Sequence, residues 1–255
     1  MKVGETFKLR VARENPAMKS SRSYQEFDVP YEAGMTVLSA LLHAKEYSDH
    51  SIAIRYSCRM ASCGSCGMMI NGVPRLACYT QVAELPEATI TVGPLDHYPL
   101  VRDLVTSFDG FFDKHRSVAP FLIRKDAIEQ ATATSEFAQS SRELDEFLQF
   151  SYCIKCGLCN AACPTMTNDP AFIGPQALGQ AYRYIADSRD EGAMQRLGAV
   201  DSRHGIWRCH FAGSCSFVCP KGVDPALAIQ KLRWLTASKP GSNKAGTKPL
   251  PILTK

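Results

Sequence analysis

Eleven cysteines in a chain of 255 residues carry most of the chemistry. The first four, Cys58, Cys63, Cys66 and Cys78, have the spacing C-x4-C-x2-C-x11-C, whose leading part is the plant-type arrangement for a 2Fe–2S cluster. Four thiolates must converge on one small inorganic core, so the backbone has to curl closely around it. Gly64 and Gly67 are expected to supply permissive dihedrals, and the small residues Ala61, Ser62 and Ser65 to leave backbone amides free to point at sulfur. Further along, Cys153, Cys156, Cys159 and Cys163-Pro164 form C-x2-C-x2-C-x3-C-P. In this bacterial-type run three cysteines bind one cluster and the fourth ligates a different one.

Cys209, Cys215 and Cys219-Pro220 align with a second run of that kind, whose second position falls on Ala212. A methyl group cannot bind iron. Either the odd iron of a 4Fe–4S cluster takes water or another side chain, or that iron is missing and the cluster is 3Fe–4S; the second is the expectation here. Crossing the fourth cysteines between the runs gives Cys153, Cys156, Cys159 and Cys219 to a 4Fe–4S cluster, and Cys163, Cys209 and Cys215 to the 3Fe–4S cluster. No cysteine is left over. Disulfides fit poorly, since the cysteine count is odd and no export signal is expected from the strand-like start of the chain. Structural zinc uses paired ligands a dozen or more residues apart, which the 153–163 run does not match.

The elements that must hold these thiols read differently in the two halves, which a cysteine-free stretch (79–152) separates. Phe7, Leu9 and Val11 alternate, as do Phe27 with Val29 and Ile90 with Val92, predicting strands. Val37, Leu38, Leu41 and Leu42 predict a helix between Met35 and Lys45, and Asn71-Gly72 predicts a hairpin turn. Val101, Leu104, Val105, Phe108, Phe111 and Phe112 read as a helical stripe starting near Pro99. Beyond it, Ala177, Leu178, Ala181, Tyr182 and Ile185 predict a second helical face. Asp224-Pro225 predicts a cap followed by a helix whose apolar residues are Leu227, Leu232 and Trp234. The fold class is therefore α+β, a small mixed domain (1–110) followed by an all-α domain (111–238) and a basic, flexible tail (239–255).

Composition excludes other classes. Hydrophobic residues make up 45% and charged residues 21%, which suits a globular chain. No stretch approaches the ~18 apolar residues of a membrane-spanning helix. The net charge of +4 is owed to the C-terminal end, where Lys231, Arg233, Lys239, Lys244, Lys248 and Lys255 occur without an acid, so no broad cationic face for nucleic acid is expected. There is no dinucleotide or phosphate-binding glycine motif and no catalytic triad. His43, His50, His97, His115 and His204 have no motif around them, and no catalytic residue is assigned to this chain.

The stretch from Arg55-Tyr56-Ser57-Cys58 to Cys66, ending at Leu76-Ala77-Cys78, resembles the iron–sulfur subunit of succinate dehydrogenase and fumarate reductase. So do Cys153-Ile154-Lys155-Cys156-Gly157-Leu158-Cys159, Phe172-Ile173-Gly174-Pro175 and Cys209-His210 through Cys219-Pro220-Lys221-Gly222, so that the resemblance runs over roughly residues 5–235. It implies a plant-type ferredoxin-like (β-grasp) domain followed by a bacterial-ferredoxin-like helical domain. It also implies a flavoprotein partner with covalent FAD and the dicarboxylate site, and a membrane anchor with haem b that handles quinone. The chain would relay electrons between them, peripherally, on the cytoplasmic side of a bacterial inner membrane.

In ubiquinone-reducing members a tryptophan follows the Cys-Pro, whereas here Cys163-Pro164 leads into Thr165-Met166-Thr167-Asn168. The missing indole removes a donor to a quinone oxygen and points to menaquinone. Pro164, Thr165, Trp207 and His210 are the candidate contacts on the quinone or haem side. The alternatives are a stand-alone soluble ferredoxin-type carrier, or the relay subunit of another fumarate- or heterodisulfide-type reductase.

Overall fold

The structure, a computed structural model, describes residues 3–18, 21–132, 134 and 136–238; the basic tail (239–255) lies outside the described residues. The chain divides into two compact units. The first comprises Met1–Phe108 together with Ile154–Ala162, and the second Asp109–Cys153 together with Cys163–Lys255.

The first unit is built on a five-stranded mixed sheet. Strands β1 (Thr6–Arg13) and β2 (Ser23–Pro30) pair antiparallel along their whole length, so that Leu9 faces Phe27 and Val11 faces Gln25. With β3 (Gly67–Ile70), β4 (Val73–Leu76) and β5 (Thr89–Gly93), the strand order is β2-β1-β5-β3-β4, and β1 and β5 run parallel. Leu9, Val11, Val29, Ile90 and Val92 are wholly buried, as period-2 alternation requires of one covered face. The helix Val37–Tyr47 supplies the cover with Val37, Leu38, Ala40, Leu41 and Ala44, and begins at a capping box between Thr36 and Ser39. Asn71 and Gly72 both have positive φ, as the turn between β3 and β4 demands.

The stretch from Pro99 to Phe112 is not one helix. Leu100–Arg102 (β6) and Val105–Thr106 (β7) form a two-stranded hairpin, and a helix begins only at Asp109–Arg116. The cause is Asp103, which sits in the turn at φ 49°. Its buried carboxylate accepts hydrogen bonds from the backbone N–H groups of Glu14 (3.1 Å) and Ala53 (2.9 Å) and from Arg13 Nε (3.3 Å). Those bonds reward a turn that a helix would abolish, and the β-branched Val101, Val105 and Thr106 suit strands.

In the second unit, the helix Pro175–Ile185 runs through the core with Pro175 to Tyr182 all buried. The helix Pro225–Ala237 packs on it, with Leu148–Ser151, Ala193–Val200 and Asp109–Arg116 as further neighbours. Asp224 caps Pro225–Ala237 by accepting from Leu227 N. Its buried face is Ala226, Ala228, Ile229, Leu232 and Thr236, whereas Leu227 and Trp234 are exposed. The 3.6-residue period puts 225, 228/229, 232 and 236 on one side, and the alanines let that side approach the neighbouring helix closely.

Arg196 is the largest wholly buried side chain of this core. Its guanidinium reaches the Asp190 carboxylate (2.6 Å) and donates to the Ala119 (3.1 Å) and Phe121 (2.5 Å) carbonyls, which ties the segment after the helix Asp109–Arg116 to Ala193–Val200. Arg196→Met leaves those groups buried without their donor. It is expected to destabilise the second unit by about 3–5 kcal/mol, read as a lower denaturant midpoint of the helical circular-dichroism signal.

Candidate iron–sulfur sites

In the loop after Ile52, Arg59 and Ala61 take positive φ (57° and 55°) and Gly64 does the same at 75°. Alternating left-handed residues turn successive N–H groups to one side, a concavity that suits anions. The N–H groups of Ser62 and Cys63 donate to Cys58 Sγ at 3.3 Å, with Met60 N at 3.5 Å. Ala61 N donates to Cys78 Sγ (3.3 Å), and Cys78 N to Cys66 Sγ (3.5 Å). The other end of this loop hangs on the covering helix, whose first free N–H groups, on Val37 and Leu38, donate to the Thr80 and Ala77 carbonyls on either side of Cys78.

Amides aimed at sulfur favour thiolate over thiol, and so fit a group that binds through thiolates. Cys63 is exposed, and its pKa is lowered to about 6, chiefly by the Ser65 hydroxyl 3.1 Å away. Burial pushes the Cys66 thiol up to about 12, and neighbouring Cys78 and Cys63 add to the shift. Iron must displace the proton from such a buried sulfur, as coordinating metals do outright.

Gly67 does not serve through its dihedral, since its φ is not positive. It lies in β3, where a Cβ would come within 3.1 Å of Leu158 and 3.3 Å of the Cys156 carbonyl. Gly64 is tighter still: a Cβ there would lie 2.8 Å from Cys156 Cβ. The segment Ile154–Ala162, which belongs to this unit, therefore sits against the loop that carries Cys63 and Cys66. Tyr98 fixes it from the other side by donating its hydroxyl to the Gly157 carbonyl (2.9 Å) and stacking on Phe108. Burial pushes the Tyr98 phenol pKa up, and nearby Cys159 and Cys156 push it further.

The two bacterial-type runs share one backbone device. Lys155 (φ 55°) and Gly157 (φ 80°) stand two and four residues after Cys153; Phe211 (φ 56°) and Gly213 (φ 75°) stand two and four after Cys209. Each second left-handed glycine opens a short helix, Leu158–Ala161 in one run and Ser214–Phe217 in the other. Ala212 thus occupies the place that Cys156 holds in the first run, on a backbone curled the same way. In the second unit Cys163, Cys209 and Cys215 line one hollow together with Pro164, Thr165, His210 and Ala212. Phe211 N donates to Cys209 Sγ (3.3 Å), and burial pushes the Cys215 thiol up to about 11, with Cys163 and Cys209 adding to it.

Trp207 is not among the residues lining that hollow; its indole N–H donates to Asp201 (2.6 Å). Arg233, which the sequence pattern did not mark, donates to the carbonyls of Ile206 (3.0 Å) and Cys209 (2.6 Å) and so pins the start of the second run. Cys153 and Cys219 pack against the rim of the second unit's core.

Residues 8–113 match the family model described as a 2Fe-2S iron-sulfur cluster binding domain, and residues 149–223 that of a 4Fe-4S dicluster domain. Fold and thiol placement thus define an iron–sulfur protein with one two-iron site ahead of a paired-cluster region. The chain is 43% identical to the fumarate reductase iron-sulfur subunit of Mycobacterium tuberculosis (strain CDC 1551 / Oshkosh), over 90% of this chain and 92% of that one. It is 41% identical to the subunit of that name from Escherichia coli O6:H1 (89% and 91% covered). To the mitochondrial succinate dehydrogenase [ubiquinone] iron-sulfur subunit 2 of Oryza sativa subsp. japonica it is 40% identical (89% and 73%). A chain of the Mycobacterium smegmatis Sdh1 complex in the apo form superposes with a TM-score of 0.83 at 25% identity, covering 92% of this chain and 97% of that one. The chain belongs to the family of fumarate reductase and succinate dehydrogenase iron–sulfur subunits.

Gly64→Ala tests the close approach. The dihedral costs about 1–2 kcal/mol, and the overlap with Cys156 adds to it. The variant is expected to retain less 2Fe–2S cluster, measured as a weaker paramagnetic resonance signal per chain in the reduced protein.

Proposed function

We propose that the chain is the electron-relay subunit of a membrane-bound succinate dehydrogenase or fumarate reductase. It works between a flavoprotein that carries covalent FAD and the dicarboxylate site and a membrane anchor with haem b. In this reading Cys58, Cys63, Cys66 and Cys78 hold a 2Fe–2S cluster, Cys153, Cys156, Cys159 and Cys219 a 4Fe–4S cluster, and Cys163, Cys209 and Cys215 a 3Fe–4S cluster. The observation that carries it is the shared curl of the two runs with a methyl group at Ala212: a cluster-binding backbone is kept while one ligand is withdrawn.

Bound at these sulfurs, the clusters supply the one-electron transfer that side chains cannot carry out at ordinary potentials. The chain's own residues do the rest. Backbone N–H groups around Cys58, Cys66, Cys78 and Cys209 favour the more negative, reduced state. Among the described residues no helix is long and apolar enough to cross a membrane, so attachment falls to the anchor. We place the chain on the cytoplasmic side of a bacterial inner membrane. Pro164, Thr165 and His210, which line the hollow at Cys163, and Trp207, which does not, are the candidate contacts to a menaquinone- or haem-bearing partner. In sequence order the two functional domains are 1–110 and 111–238, with Ile154–Ala162 counted in the first compact unit.

Purified anaerobically, the protein is expected to hold about nine irons per chain and to show a 3Fe–4S resonance when oxidised. Absence of that resonance overturns the reading at Ala212. Ala212→Cys is expected to replace it with the signal of a reducible 4Fe–4S cluster at lower potential, and to slow electron delivery to quinone.

A further inference from the structure

The helix Pro175–Ile185 carries two buried amides one turn apart. Gln180 donates to the Phe150 carbonyl (3.0 Å), an ordinary use for a core glutamine. Gln176 does something else. Its Nε2 lies 3.2 Å from His115 Nδ1 and 3.9 Å from Cys153 Sγ, a long but usable distance for a sulfur acceptor. Gln176 and His115 are both buried, and all three residues belong to the second unit.

A carboxamide nitrogen has two hydrogens, so one Nε2 can serve both neighbours at once. Donation to Nδ1 requires the imidazole to carry its proton on Nε2. It also fixes the amide's orientation, since the flipped amide would set Oε1 against sulfur and repel a thiolate. His115 acts here as an anchor for Gln176.

We propose that Gln176, held by His115, donates a hydrogen bond to the Cys153 thiolate and thereby raises the reduction potential of the 4Fe–4S cluster; this rests on the assignment of Cys153 as a ligand of that cluster. A side-chain donor stabilises the more negative, reduced state just as a backbone amide does. It can be removed by substitution, which a backbone amide cannot.

The test is a redox titration of the purified complex followed by paramagnetic resonance, with iron and sulfide content measured on each sample. In Gln176→Leu, the reduced-to-oxidised ratio of the 4Fe–4S cluster at the wild-type midpoint should fall several-fold, with the other two clusters unshifted. Gln176→Glu keeps the shape but puts a carboxylate against sulfur, and should move the potential further in the same direction. His115→Phe should give a smaller shift of that sign, and Gln180→Leu none. An unshifted 4Fe–4S potential in Gln176→Leu overturns the proposal; if that variant does not assemble, an unshifted potential in Gln176→Glu or His115→Phe does so. Cys153→Ser separates this inference from the ligand assignment. Loss of the 4Fe–4S signal there, beside an unshifted Gln176→Leu, removes only the role of Gln176, whereas an intact signal in Cys153→Ser removes the assignment itself.

Discussion

Sulfur that carries negative charge inside a protein needs hydrogen-bond donors, and here the backbone provides most of them. Residues of positive φ follow the cysteines in all three loops, Arg59, Ala61 and Gly64 in the first, Lys155 and Gly157 in the second, Phe211 and Gly213 in the third, and in the first and third N–H groups there point at sulfur. In the second and third loops the two positions recur at the same offsets, two and four residues after the first cysteine of each run. For the non-glycine positions the conformation costs about 1–2 kcal/mol each, which persists only because the surroundings hold the chain there. The covering helix bonded on either side of Cys78, the Tyr98 hydroxyl on Gly157 and the Arg233 guanidinium on Cys209 are those surroundings.

The sites differ in how their sulfurs meet solvent. Cys63 stands exposed with a hydroxyl beside it, whereas Cys66 and Cys215 are enclosed. In the first unit Cys66 and Cys78 are buried as well, beside a sheet covered by the helix Val37–Tyr47. In the second unit the thiols belong to the core itself: Cys163 packs with Met166, Phe172 and Ile229. Ser216 joins this region to the helix Pro225–Ala237, since its hydroxyl bonds Asp224 and receives Ala226 N. Removing a thiol from the second run, as at Ala212, therefore leaves a loop that is still held at both ends.

Much of this was legible in the chain. The alternation of Leu9 and Val11, the Asn71-Gly72 turn and the Asp224-Pro225 cap all state local preferences that tertiary packing has no reason to override. The stretch from Val101 to Phe112 misled because its apolar spacing suits a helix, while the deciding group is Asp103, whose partners Arg13 and Ala53 are remote in sequence. Leu227 and Trp234 misled for another reason: on a helix rich in alanine, the small residues mark the buried face. Arg196 and Gln176 could not be anticipated from pattern at all. A buried cation or amide has meaning only through the atoms around it, here Asp190 with two carbonyls, and Cys153 with His115. The left-handed Lys155 and Phe211 lay within reach, because aligning the two runs puts them at one offset.

The membership of Ile154–Ala162 in the sheet-bearing unit bears on the order of events during translation. A nascent chain that has emerged as far as residue 113 contains everything matched as a 2Fe-2S cluster binding domain. It still lacks the nine residues Ile154–Ala162, of which Cys156 and Leu158 lie against Gly64 and Gly67. Some forty more must be made first, including the end of the helix Asp109–Arg116 and the whole helix Leu148–Ser151 of the other unit. The unit that the ribosome starts first thus cannot be completed until part of the other unit has been made.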